Sequence, residues 1–174
     1  MEKRLLIPQF LTHENFAQFG EVIDLDANAL AQNEALKVMD INEGLTKRYH
    51  ALTSIDASDE VGAPIVSIFH TQPISLPHQV VEMERHPLGS QAFIPLGSQP
   101  YYVLCALQGE AVSADDLQLF ITNGRQGVNL AKNAWHHFQL VLGEASSYLV
   151  IDRQGRGSNL ELVTVKGNIW LDRP

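Results

Sequence analysis

The chain is poor in the features that mark several classes of protein. Its 174 residues include a single cysteine, Cys105, so no internal disulfide framework can form. That thiol sits in the apolar run 101–107 and reads as a small buried hydrophobe in a reducing compartment. Basic residues are scarce, with 12 Lys and Arg against 20 Asp and Glu, a formal net charge of −8. Without a basic stripe, nucleic acid and anionic membranes are excluded as partners, and the negative charge serves solubility. No apolar run approaches the ~18 residues of a membrane-spanning helix. The segment Met1 to Leu5 carries charges but no long apolar stretch or cleavage site. These absences predict a cytoplasmic soluble protein. No repeat, low-complexity tract or linker divides it, and the length suits one domain over residues 1–174, able to bury ~70% of its unfolded surface.

Turn formers are plentiful: 12 Gly and 8 Pro separate many short runs of Val, Ile, Leu and aromatics. That spacing predicts an all-β sandwich or barrel rather than alternating βα units. Strands are expected near 21–25, 45–52, 64–71, 78–86, 91–95, 100–107, 126–130, 134–142, 146–152 and 160–165. Two short helices are expected as well. One is capped by Thr12, runs through Phe16 and Phe19 and is ended by Gly20. The other opens at a capping box, Ser113 to Asp116, and runs through Leu117 and Phe120. Segments 26–35 and 54–62 read as polar surface loops.

Period-two alternation then sorts side chains by face. In 78–86 it groups His78, Val80, Glu82, Glu84 and His86, opposite Gln79, Val81, Met83 and Arg85. A polar face of this kind also describes the solvent side of a half-buried strand. Gln91 follows just past a tight turn. In 134–142, His136 shares a face with Phe138, Leu140 and Leu142, whereas His137 points the other way. Glu84, His86, Gln91 and His136 come from separate strand-rich segments. They can converge only inside a closed or sandwiched sheet, so an enzyme with a small-barrel site is the leading reading. In 45–50, Arg48 and His50 share a face, and Arg48 suits a bidentate grip on a carboxylate. Lys132 and Arg125 flank the turn before Trp135 and could meet an anion. Taken singly, each of these cations also fits an ordinary solvated surface.

The run Glu84-x-His86-x4-Gln91, closed by Phe93, Pro95 and Gly97, resembles the first cupin motif, and Trp135-His136 resembles the histidine of the second. The likeness is closer to one family within the cupins. Asn42-Glu43-Gly44-Leu45-x2-Arg48-Tyr49-His50, the segment 84–95, Ile121-Thr122-Asn123-Gly124-x-Gln126-Gly127-Val128-Asn129, Trp135-His136-His137 and Ile151-Asp152-Arg153 resemble the ureidoglycolate lyase family, in order along most of the chain. The resemblance implies a cupin-like β-barrel of the double-stranded β-helix or jelly-roll type. It also implies a homodimer, a divalent metal often given as nickel, and cleavage of (S)-ureidoglycolate to glyoxylate and urea in allantoin and purine breakdown. The usual cupin set of three histidines and a glutamate is altered here, because Glu84 and Gln91 replace a His and the Glu. The resulting set Glu84, His86, Gln91 and His136 still suits nickel, zinc or manganese, with weaker binding expected.

Under that resemblance the residues take provisional roles. Arg48, with Lys132, pairs with the substrate carboxylate, and Gln91 contacts substrate or metal. Glu84 or a histidine removes the hydroxyl proton, and His50 or Glu82 donates to the departing urea. Two alternatives remain: an amidohydrolase on the same scaffold, releasing ammonia and CO2, and a non-catalytic cupin module holding a small carboxylate.

Overall fold

The computed structural model describes residues 2–25, 37–107 and 109–173; the expected loop at 26–35 lies outside them. The described chain runs β1 (Lys3–Leu6), β2 (Gln9–Phe10), the helical turn α1 (His13–Phe16), β3 (Gly20–Ile23), β4 (Lys37–Ile41) and β5 (Thr46–His50). A 3-10 turn at Asp59–Val61 leads into β6 (Ala63–Thr71), β7 (His78–Arg85), β8 (Gln91–Pro95), β9 (Tyr101–Ala106) and β10 (Leu117–Ile121). Last come β11 (Gly127–Leu130), β12 (Trp135–His136), β13 (Leu140–Val141), β14 (Ser146–Gln154) and β15 (Glu161–Leu171). One sheet has the order β1-β15-β7-β12-β9-β10-β2, with β13 also on β9, and a second has the order β3-β11-β8-β14-β6. The first curls, so the almost wholly β chain takes a cupin-like barrel form. Strands β4 and β5 pair only with each other. No helix among the described residues is long and apolar enough to cross a membrane.

Alternation in β9 shows why the sheets pack. Tyr101, Val103 and Cys105 join Val22, Phe93, Val128, Tyr148 and Val150 in a core contributed by both sheets. The intervening Tyr102, Leu104 and Ala106 join a second core with Val80, Met83, Trp135, Ile169 and Leu171. Both faces of β9 are therefore buried, as its unbroken apolar run predicts. A chain of aromatics, Phe16, Phe19 and Phe120, has ring centroids 5.5–5.9 Å apart and fastens α1 to the barrel.

The expected N-terminal helix exists but is one turn long. Thr12 caps it reciprocally, since Asn15 N donates to Thr12 Oγ1 at 3.1 Å and Thr12 N donates to Asn15 Oδ1 at 2.9 Å. A single turn gains too little to persist alone, so Phe16 must be held by the core. The chain then turns to Gly20, where a Cβ would lie 2.0 Å from the Asn129 carbonyl oxygen.

The second expected helix is not formed. Ser113 N and Oγ both donate to Asp116 Oδ2 at 2.7 Å, closing a turn, and β10 follows at once. Leu117 and Leu119 enter one core and Phe120 the other, so the period-two pattern prevails over the cap signal.

Two face assignments also change. In β7, Val80 and Met83 both enter the same core although three residues apart, while Val81 is exposed. The ladder to β15 slips between Thr164 and Ile169, and this irregularity breaks the alternation, so Val80 joins Met83 in the core and leaves the face of Glu84. The expected strand 134–142 breaks into β12 and β13 around an exposed Phe138. Leu140 consequently joins the core of Trp135, not the face of His136. His136 keeps an inward position because it pairs with Cys105, whose side chain lies between the sheets.

Candidate active site

The site grows from one cross-strand row. Glu84 on β7 lies opposite His136 on β12, and His136 lies opposite Cys105 on β9. Directly opposed residues bring their side chains together on one face. Glu84 Oε1 is 3.5 Å from His136 Nε2, an electrostatic contact longer than a formed hydrogen bond. His86, one residue past β7, brings its ring to 5.2 Å from that of His136. One ligand-capable atom from each of Glu84, His86 and His136 falls within 4.8 Å of the others. The His136 ring holds the Glu84 carboxyl below the ordinary carboxylate range, against the opposing effect of burial, with smaller help from His86 and His137. Glu84 is therefore ionised at neutral pH.

Backbone carbonyls decide which ring nitrogen is available. His86 Nδ1 is 2.6 Å from the Asn159 carbonyl oxygen and His136 Nδ1 is 3.0 Å from that of Ala134. A carbonyl only accepts, so both Nδ1 atoms carry protons. His136 Nε2 is buried without a hydrogen-bond partner and faces Glu84 Oε1. His86 Nε2 lies 3.2 Å from Gln91 Oε1. Both partners only accept, so a neutral ring donates to one of them, and the Asn159 carbonyl at 2.6 Å is the nearer. Gln91 Nε2 in turn donates to Asp152 Oδ2 at 3.5 Å. Two imidazoles each donating Nδ1–H to a backbone carbonyl, with a carboxylate oxygen within 4.8 Å of a nitrogen of each ring, is an arrangement in which proteins hold divalent metals.

Rim segments hold these groups in place. In the turn 131–134, Asn133 N donates to the His86 carbonyl at 3.0 Å, and the next residue, Ala134, takes the His136 proton. Ser90 and Asp56 exchange hydrogen bonds, Ser90 N to Asp56 O at 2.8 Å and Asp56 N to Ser90 Oγ at 3.0 Å, which ties the 54–62 loop beside Gln91. The buried Arg153 guanidinium donates to the carbonyls of Asp59, Glu60 and Arg156, joining that loop to the segment after β14.

The break after β12 opens space beside Glu84. Where β12 ends, β7 loses its neighbour, and a cavity of about 250 Å³ opens along His78, Glu82, Glu84, His137 and Phe138. His78 and His137 pack edge to face, with ring centroids 5.3 Å apart. Burial pushes the His137 imidazole down to about 4, and lowers His78 too, so the cavity wall presents neutral rings near pH 7.

The structure thus gathers Glu84, His86, His136 and Gln91, with Glu82 exposed along the same cavity. Arg48 and His50 lie exposed on the separate hairpin, and among the described residues no hydrogen bond or ion pair joins either to this cluster. Lys132 is at the rim, but its ammonium already faces Asp59 at 2.7 Å and Asp56 at 3.2 Å. Asp152 was not among the expected site residues; its Oδ1 is buried without a partner. The signal for it is an acidic residue directly after the apolar run 148–151, within the same strand. The roles of the Asn159 and Ala134 carbonyls had no sequence signal, because every residue carries one.

Comparison with known proteins follows this geometry. The family described as Ureidoglycolate lyase matches residues 3–172. A ureidoglycolate lyase from Burkholderia mallei is 45% identical over 161 residues, 92% of this chain and 89% of that protein. Ureidoglycolate lyase 1 of Rhizobium meliloti is 44% identical over 152 residues, 87% of this chain and 84% of that one. A ureidoglycolate lyase of Pseudomonas fluorescens is 39% identical over 158 residues, 91% and 90% of the two chains. With its metal-competent cluster inside a cupin-like barrel and a match that spans nearly its whole length, this chain belongs to the ureidoglycolate lyase family.

Proposed function

We propose that this protein cleaves (S)-ureidoglycolate to glyoxylate and urea, as a carbon–nitrogen lyase of allantoin breakdown. The observation that carries the reading is the convergence of Glu84, His86 and His136, of which Glu84 also lines a cavity, within a chain of this family. The cavity suits a small substrate, and the reaction needs no redox group.

Glu84, His86 and His136 would hold a divalent ion, nickel by family resemblance. The fit rests on the unpartnered buried Nε2 of His136 and on the two Nδ1–H groups already committed to carbonyls. When bound, such an ion supplies positive charge that polarises carboxylate and hydroxyl oxygens.

The side chains carry the rest of the chemistry. Ureidoglycolate has a hydroxyl, a carboxylate and a ureido nitrogen on one carbon. A carboxylate of the Glu84–Glu82 pair takes the hydroxyl proton. The O–H electrons form the new carbonyl, the C–N bond breaks toward nitrogen, and that nitrogen takes a proton as urea leaves. Glu82, exposed along the cavity, is the group assigned to return that proton to nitrogen, relayed from Glu84 where Glu84 took it. Gln91 orients His86 and the substrate. Arg48 and Lys132 are the cations proposed for the substrate carboxylate, and His50 a further donor.

A cytoplasmic homodimer belongs to the same proposal. One outer strand of the five-stranded sheet, β6, has nine residues and exposes Val66, Ile68 and Phe69. Such an edge is usually covered, and a second copy on a two-fold axis is the commonest cover.

Product analysis with the purified chain tests the activity. Equimolar glyoxylate and urea from ureidoglycolate are expected. Ammonia in place of urea would replace the lyase with an amidohydrolase, and binding without turnover would leave a carboxylate-binding module.

A further inference from the structure

We propose that Asn159 is the positioning residue that sets the tautomer of His86 and thereby makes its Nε2 the ligand atom. This rests on the reading of Glu84, His86 and His136 as a metal-competent site, and it adds a control that those residues cannot supply themselves.

Asn159 grips the segment at two points. Its carbonyl oxygen receives the His86 Nδ1 proton at 2.6 Å, and its side-chain Oδ1 receives the Leu88 N–H at 2.8 Å. One residue therefore fixes both the ring and the turn from which the ring projects. A neutral imidazole has two tautomers of similar energy in water, and the partner of one nitrogen selects the state of the other. For His136 that partner is Ala134, two residues away in the same turn. For His86 the Nδ1 partner is 73 residues away in sequence, and Gln91 Oε1, 3.2 Å from Nε2, competes for the ring proton, so the tautomer depends on where the segment after β14 lies.

That segment is itself constrained. Arg153 Nη2 donates to the Arg156 carbonyl at 2.7 Å. Gly157 has φ +81°, and a Cβ there would come within 2.7 Å of Leu88 Cδ1. The segment thus closes directly on the turn carrying His86. Substituting Asn159 leaves its carbonyl in the chain but removes the Oδ1 tie, which frees that carbonyl to move away from the ring.

The test uses the full chain with Asn159→Ala and Asn159→Asp. Long-range proton–nitrogen correlation spectra of the metal-free proteins near pH 8 report the imidazole tautomers, and competition with a chromophoric chelator reports nickel affinity. The expected results for Asn159→Ala are loss of the pure Nδ1–H form at His86, an unchanged tautomer at His136, and about 10–100-fold weaker nickel binding. Asn159→Asp keeps the acceptor for Leu88 N–H and should restore the Nδ1–H tautomer. If Asn159→Ala fails to fold, Asn159→Ser, with a shorter side chain, carries the same spectroscopic test. The proposal is overturned if His86 remains wholly Nδ1–H in the truncated variant. Should the wild type bind no nickel, the metal reading of the site fails, while the tautomer spectra still decide the role of Asn159.

Discussion

Acid should destabilise this protein through His137, and the size of the effect follows from its burial. The ring is 8% exposed and packs against His78 and Phe138. Desolvation holds its pKa at about 4, against an ordinary value of 6.5. The unfolded chain therefore binds a proton on this residue before the folded chain does. The contribution is fully favourable above pH 6.5, declines as pH falls through that value, and is exhausted near pH 4. At ~1.4 kcal/mol for each tenfold difference, the full loss is about 3 kcal/mol, with about 2 kcal/mol of it reached at about pH 5. Glu84 works in the same direction, but its carboxyl lies below the ordinary 4.5, so its loss comes at lower pH and is small at the chosen point. Urea denaturation followed by the fluorescence of Trp135 and Trp170 isolates the term when wild type and His137→Phe are compared at about pH 8 and about pH 5. Wild type should lose about 2 kcal/mol more than the variant between the two conditions. Losses equal within about 0.5 kcal/mol would refute desolvation of His137 as a cause of acid sensitivity.

Two further outcomes bear on the site and its frame. Glu84→Gln removes the one carboxylate of the cluster while keeping its shape, so nickel affinity should drop by at least about tenfold with little change in thermal midpoint; unchanged affinity in calorimetric titration would remove Glu84 from the ligand set. Arg153→Met leaves the carbonyls of Asp59, Glu60 and Arg156 without their common donor, and a loss of about 2–4 kcal/mol in urea denaturation is expected, whereas a change under about 0.5 kcal/mol would show that solvent replaces the guanidinium without cost.

The legible parts of the sequence were those governed by local pattern. Short apolar runs between turns identified β8, β9 and β14, which send residues into a core, and also β6, whose Val66, Ile68 and Phe69 are exposed. Local pattern failed where pairing overrode it. Ser113 to Asp116 carries a true cap signal, yet β9 and β2 offered the following residues ladder partners and made them β10. The slip beside Val80 and the break after His136 arise from ladder irregularities with no signature in a single chain. The strands β1, β2 and β4 were missed because they are short and, apart from Leu6 of β1, send no residue into a core.

By itself, the sequence determined an all-β domain, an acidic surface, and the chemical identity of the groups able to act: Glu84, His86, Gln91 and His136. These follow from composition and spacing, which are local. Only the tertiary structure decided what those groups can do. It set Glu84 opposite His136 by strand register, gave each histidine a carbonyl that selects its tautomer, opened a cavity where β12 stops, and left Arg48 and His50 on a separate hairpin. The physical reason is range. Backbone carbonyls are chemically alike all along the chain, and only the approach of Asn159, 73 residues from His86, makes one of them count.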